Sequence, residues 1–163
     1  MIIVLTRDAA GTIAAAARES ADGRETGGVL LGHDLGERMI VTVAGDPGPA
    51  ADRRTDGFVR DLAHARLLGD EAYDRDGSVW VGEWHTHPTG PSIPSPKDME
   101  TYSQLLADDD LAFERLLALI VTPCGVHGWV EAHVHGWVVD VDGAKGATVV
   151  RENVAGVPLS EQT

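Results

Sequence analysis

Glu83-Trp84-His85-Thr86-His87-Pro88, with Pro94-Ser95-Pro96-Lys97-Asp98 following after a five-residue gap, holds two imidazoles and a carboxylate within reach of one metal ion. In an extended segment successive side chains point to opposite faces, so a strand here projects His85 and His87 to the same side. Ser95 then Pro96, with Asp98 three positions on from the serine, is a helix start: Ser95 as N-cap, Pro96 at the first helical position, Asp98 in the first turn. A capped first turn is a stiff place from which to aim a carboxylate. Two neutral imidazoles and one carboxylate, with a fourth position open to water, are the ligand set of a catalytic zinc site. A structural zinc site is more often closed by cysteines, and this chain has only Cys124. Each piece alone is ordinary, a solvated histidine pair or a helix cap; their conjunction points to hydrolysis.

Outward from this segment, Val79–His87 reads as the metal-bearing strand, 88–94 as a stiff proline loop and 96–107 as a helix. The apolar run Leu116-Leu117-Ala118-Leu119-Ile120-Val121-Thr122 predicts a central strand. Segments 128–135 and 137–141 read as two later strands that pair, with an edge strand over 148–151. Upstream, 2–5 predicts a short buried strand and 6–20 an alanine-rich helix ended by Ala21-Asp22-Gly23. Residues 26–32 and 39–44 predict a hairpin, 45–55 a loop, and 61–74 a helix with Leu62, Ala65 and Leu68 along one side.

The chain has 163 residues, one domain of ordinary size. Thirteen Lys and Arg against 26 Asp and Glu leave a formal charge of −13, which argues against nucleic acid and repels anionic membrane surfaces. One cysteine allows no internal disulfide, the N-terminus reads as a strand rather than a leader, and a cytoplasmic location is expected.

The pattern His85-x-His87-Pro88, then Pro94-Ser95-x-x-Asp98, resembles the metal motif of the JAB/MPN (JAMM) metalloproteases. Upstream, Glu25-Thr26-Gly27-Gly28-Val29-Leu30-Leu31-Gly32 is similar to the strand carrying that family's catalytic glutamate. The form Gly82-Glu83-Trp84-His85-Thr86-His87-Pro88 resembles the small prokaryotic JAB branch, and the likeness runs from the first strand to about Trp137. It implies an α+β MPN/JAB (cytidine-deaminase-like) fold, a mixed sheet flanked by helices, over 1–151, with 152–163 as a polar tail. It implies Zn2+ on His85, His87 and Asp98. The activity implied is a peptidase or isopeptidase cutting after the C-terminal glycine of a ubiquitin-like protein or its conjugate. Peptidases of this form resemble those of bacterial ubiquitin-like conjugation operons, including antiphage (CBASS) operons, whose partners are E1/E2-like enzymes. Processing of a sulfur-carrier protein, cleavage of a small amide, or a non-catalytic MPN scaffold are the alternatives.

The spacing alone nominates Glu83 as general base, because it shares the strand face of His85 and His87. The resemblance assigns that role to Glu25, and a carboxylate as close to the ligands as Glu83 suits a supporting or substrate-facing role better. The resemblance also gives Ser95 a hydroxyl that stabilises the oxyanion. Other residues carry blander readings. His127, His133 and His135 read as strand-surface histidines, Cys124 as turn-adjacent, and Arg53 and Arg54 as solvated loop residues. Trp80 and Trp84 are expected in the core, on the face opposite the histidines.

Overall fold

A computed structural model describes residues 1–152; the polar tail expected over 152–163 lies, from 153 on, outside the described residues. The order of elements is β1 (Ile2–Leu5), α1 (Arg7–Ala17), a 3-10 turn (Arg18–Asp22), β2 (Gly27–Asp34), β3 (Arg38–Ala44), β4 (Asp52–Arg54), β5 (Gly57–Val59), α2 (Leu62–Asp76), β6 (Val79–Thr86), α3 (Pro96–Ala107), β7 (Leu116–Cys124), β8 (Gly128–Asp140) and β9 (Gly143–Arg151). This is the α+β arrangement expected, a mixed sheet with helices packed on it. Strands run β1-β3-β2-β6-β7-β8-β9, and β1 pairs in parallel with both β3 and β9, closing the sheet on itself.

Local chemistry explains the elements. Thr6 caps α1 by accepting from the Ala9 amide, and the helix buries Ala9, Ile13 and Ala17, four residues apart along one face. Asp61 caps α2, and Gly77 ends it in the left-handed conformation that glycine adopts without a Cβ penalty. Ala65 and Leu68 turn inward as expected, joined by Ala72, whereas Leu62 stays exposed. β7 is apolar and buried from Leu116 to Val121, where both its faces are covered. Leu117, Leu119 and Val121 join the core under α1, while Leu116 and Ala118 meet Tyr102 of α3.

Four expectations are corrected. The segments 128–135 and 137–141 form one strand, β8, running through Gly136. That glycine serves close packing rather than a turn: a Cβ there would stand 2.7 Å from Ile3 Cδ1 and from Val149 Cγ2. β9 is no edge, since it is flanked by β8 and β1. The expected loop 45–55 contains β4, paired antiparallel with β5. Trp80 lies on the histidine side of β6, because a bulge makes Leu30 pair with Gly82 but Leu31 with Trp80. Trp80 thereby packs with Val29 and Leu31, while Trp84 keeps its expected place in the opposite core. Among the described residues no helix is long and apolar enough to cross a membrane.

Candidate metal centre

β6 ends at the site. Its neighbour β2 presents two glycines, Gly27 beside His85 and Gly28 beside Trp84. A Cβ on Gly27 would sit 2.2 Å from the Trp84 carbonyl oxygen, and one on Gly28 2.1 Å from that of Gly45, so only glycine permits this approach. Below the strand, Thr86 Oγ1 lies 2.7 Å from Ser20 Oγ and accepts from the Thr26 amide at 2.9 Å. All three residues are buried. This hydroxyl network anchors the end of β6 to the segment preceding β2.

His85 and His87, both buried, turn their rings to the same side, with Nε2 atoms 2.9 Å apart. Asp98 meets them from the first turn of α3: Oδ1 is 3.3 Å from His85 Nε2, and Oδ2 3.3 Å from His87 Nε2. The expected cap is present on both sides. Ser95 Oγ accepts from the Asp98 amide at 3.1 Å, and the Ser95 amide donates to Asp98 Oδ2 at 2.6 Å. Ser95 therefore holds Asp98, and its own hydroxyl proton remains available to donate.

Whether these groups suit a metal turns on the His87 ring. Its Nδ1 lies 2.7 Å from the Pro91 carbonyl oxygen, which only accepts, so Nδ1 carries the proton and Nε2 of the neutral ring presents a lone pair. The proline loop thus selects the ligating tautomer. One ligand atom each from His85, His87 and Asp98 falls within 4.8 Å of the others. Two ring nitrogens and a carboxylate facing one point form a donor set that fits a divalent cation. Burial alone would raise the Asp98 carboxyl. The His85 and His87 rings beside it, helped by the Ser95 amide, outweigh it and hold Asp98 well below the usual carboxylate range. Burial disfavours the charged form of His87, yet Asp98 and the Pro91 carbonyl prevail and raise its pKa.

Beside this centre is a cavity of about 90 Å3 lined by Glu25, Arg60, Glu83, His85, Lys97, Asp98 and Tyr102, among others. Burial pushes the Glu25 carboxyl above its ordinary value, with the charges of His85 and His87 opposing. Glu83 also faces the cavity, but it is ion-paired with Arg60, whose guanidinium lies over the Trp80 ring at 5.4 Å. The two acids flanking the centre are therefore unequal, one paired with a cation and the other desolvated. Tyr102, 1% exposed, has a hydroxyl with no hydrogen-bond partner among the described residues.

Three titratable lining residues had escaped the sequence reading. Tyr102 stands four residues beyond Asp98 on α3, a spacing that places both on one face and was there to be read. Lys97 adjoins Asp98. Arg60 carried no local signal. The second histidine group does not assemble. The His133 and His135 rings are 6.2 Å apart, exposed His127 faces Glu131 at 3.8 Å, and among the described residues these do not join a group of three ligand atoms. Cys124 is half-buried at the end of β7.

Comparison with known proteins yields a family, several relatives and a fold. The profile of the family described as prokaryotic homologs of the JAB domain matches residues 6–142. A protein of Vibrio cholerae serotype O1 named CD-NTase/cGAS isopeptidase is 31% identical over 99 residues, 60% of this chain and 61% of that protein. Proteins of the same name from Escherichia coli and Enterobacter hormaechei are 29% and 34% identical, over 60% and 53% of this chain and 61% and 48% of theirs. The matched region thus spans about half to three fifths of these relatives. A Desulfitobacterium hafniense protein of known solution structure superposes with a TM-score of 0.67, covering 93% of each chain at 22% identity, a likeness of fold.

Proposed function

The chain belongs to the prokaryotic homologs of the JAB domain, and we propose that it is a zinc-dependent isopeptidase that cuts after the C-terminal glycine of a ubiquitin-like protein or its conjugate. Residues 1–151 are the peptidase domain in this reading, and the setting is the cytoplasm. The names of the relatives, CD-NTase/cGAS isopeptidase, favour a conjugate made in an antiphage system by E1/E2-like enzymes over a sulfur-carrier precursor.

The observation that carries the proposal is the convergence of His85, His87 and Asp98 beside the desolvated Glu25. His85, His87 and Asp98 would hold the zinc. When bound, zinc supplies Lewis-acid polarisation of oxygen and brings hydroxide within reach at neutral pH. Glu25, its pKa raised by burial, takes a proton from the attacking water and returns it to the leaving amine. Ser95, fixed as the α3 cap, donates its free hydroxyl proton to the oxyanion; one such donor is worth about 10²–10³ in rate. The narrow cavity suits a thin, extended glycine-ended tail, and the outer edge of β5 and the proline loop are the backbone surfaces able to hold it.

Metal content and turnover test this together. The purified protein should carry one zinc per chain, lost in His85→Ala. Glu25→Gln should keep the zinc and lose cleavage of a peptide whose terminal Gly-Gly is amide-linked to a fluorogenic amine. A wild-type protein that binds zinc yet cleaves neither this probe nor a ubiquitin-like fusion would favour the scaffold reading.

A further inference from the structure

Glu25 lies one step outside the sheet. β2 begins its pairing with β6 at Gly27 opposite His85, and Thr26 is bonded to Thr86 through both its amide and its carbonyl. Neither backbone group of Glu25 is held by the barrel strands. Its amide donates instead to the Arg54 carbonyl at 2.7 Å, and its carbonyl accepts from Arg53 Nε at 3.2 Å, so both bonds go to β4. The direction of the Glu25 side chain is thus set by a three-residue strand outside the barrel.

Arg53 is built for this. Its side chain is 15% exposed, and its guanidinium spends every nitrogen on the segment leading into Glu25. NH1 donates to Asp22 Oδ2 at 3.0 Å, NH2 to Asp22 Oδ1 at 3.2 Å and to the Arg24 carbonyl at 3.1 Å. A planar fork is the side-chain shape that serves a carboxylate and two carbonyls together. The hairpin is tied on its other side as well. Lys97, next to Asp98, donates to the Asp56 carbonyl at 3.1 Å, and Gly57 leaves room for it: a Cβ there would stand 2.7 Å from Lys97 Nζ. β4–β5 thus bridges the segment bearing Glu25 and the helix bearing Asp98.

We propose that Arg53 is a positioning residue: by clamping residues 22–25 from the β4–β5 hairpin, it holds the Glu25 carboxylate at the distance from the His85–His87–Asp98 centre that proton transfer requires. The inference rests on the reading of Glu25 as general base. Arg53 touches neither metal nor substrate in this role, so its loss should lower kcat and spare KM, metal content and global stability.

The experiment uses the zinc-loaded protein with Arg53→Ala, Arg53→Lys and Glu25→Gln, and the same fluorogenic Gly-Gly peptide. Arg53→Ala should lose about 10- to 100-fold in kcat, the scale set by a misplacement of about 1 Å. KM and zinc stoichiometry should be unchanged. Arg53→Lys keeps the charge opposite Asp22 but lacks the fork, and it should stay defective. Full recovery with lysine would make the residue a mere charge partner of Asp22 and overturn the proposal. Hydrogen exchange supplies a readout needing no turnover: in Arg53→Ala the Glu25 amide should lose protection while amides of β6 and β7 keep theirs. Unchanged protection at Glu25, or kcat within twofold of wild type while Glu25→Gln is dead, overturns the proposal alone. Active Glu25→Gln would instead remove the general-base reading, and the proposal with it.

Discussion

At the scale of single residues, two acids compete for one role, and their surroundings separate them. Glu83 faces the cavity, but Arg60 is paired with it and sits against Trp80, so its charge is already committed. Glu25 is desolvated beside the two histidines, which gives it the raised pKa a base requires. Glu83→Gln should therefore keep zinc and most of the turnover. It should cost about 1–3 kcal/mol of stability, because Arg60 loses its counter-charge in a largely buried place. The two measurements are turnover and a denaturation midpoint; a severe loss of rate at unchanged stability would return Glu83 to the chemistry. The histidines, Asp98 and the Ser95 cap were legible because their spacing is short and their geometry local. Arg60 was not, since nothing near it in sequence announces a partner on β6.

At the scale of elements, loops of ordinary composition turn out to be fastened by specific pairs. Asp34, at the end of β2, accepts from Arg115 Nε at 2.8 Å and NH2 at 2.5 Å, which ties β2 to the start of β7. Arg115 holds the Asp34 carboxyl below its ordinary value. A depressed folded pKa contributes stability that is present above the unfolded value, about 4, and is lost as pH falls through the folded one. Asp34→Asn should lower stability at pH 7 by under about 1 kcal/mol, the pair being partly exposed. The gap from wild type should close as pH drops below about 4, read from urea midpoints. A gap that stays constant with pH would separate Asp34 from this linkage. The β4–β5 hairpin was hidden for a similar reason. Three residues per strand are too few for alternation to show, and Arg53 and Arg54 look like loop residues until Glu25 is placed beside them.

At the scale of the whole molecule, β9 closes the barrel by joining β8 to β1. Ala147 and Val149 pack against the main core from it. A chain ending at residue 142 should leave β1 and β8 each with one unpaired edge and lose about 2–5 kcal/mol, from the apolar burial surrendered with the ladder. Its denaturation midpoint would measure this, and a midpoint equal to that of the longer chain would make β9 dispensable. By itself the chain's order of residues determined the elements with strong local signals: the capped helices, the apolar β7, the His85–His87 pair and the Ser95–Asp98 turn. Alternation and capping are interactions over a few residues, and they survive without knowledge of the rest. Only tertiary structure decided that β6 bulges to turn Trp80 toward Arg60, that β8 runs unbroken through Gly136, that the sheet closes, and that Glu25 is oriented by β4. Those outcomes depend on pairing register and packing between distant segments, which are set by the burial of whole faces rather than by any local spacing.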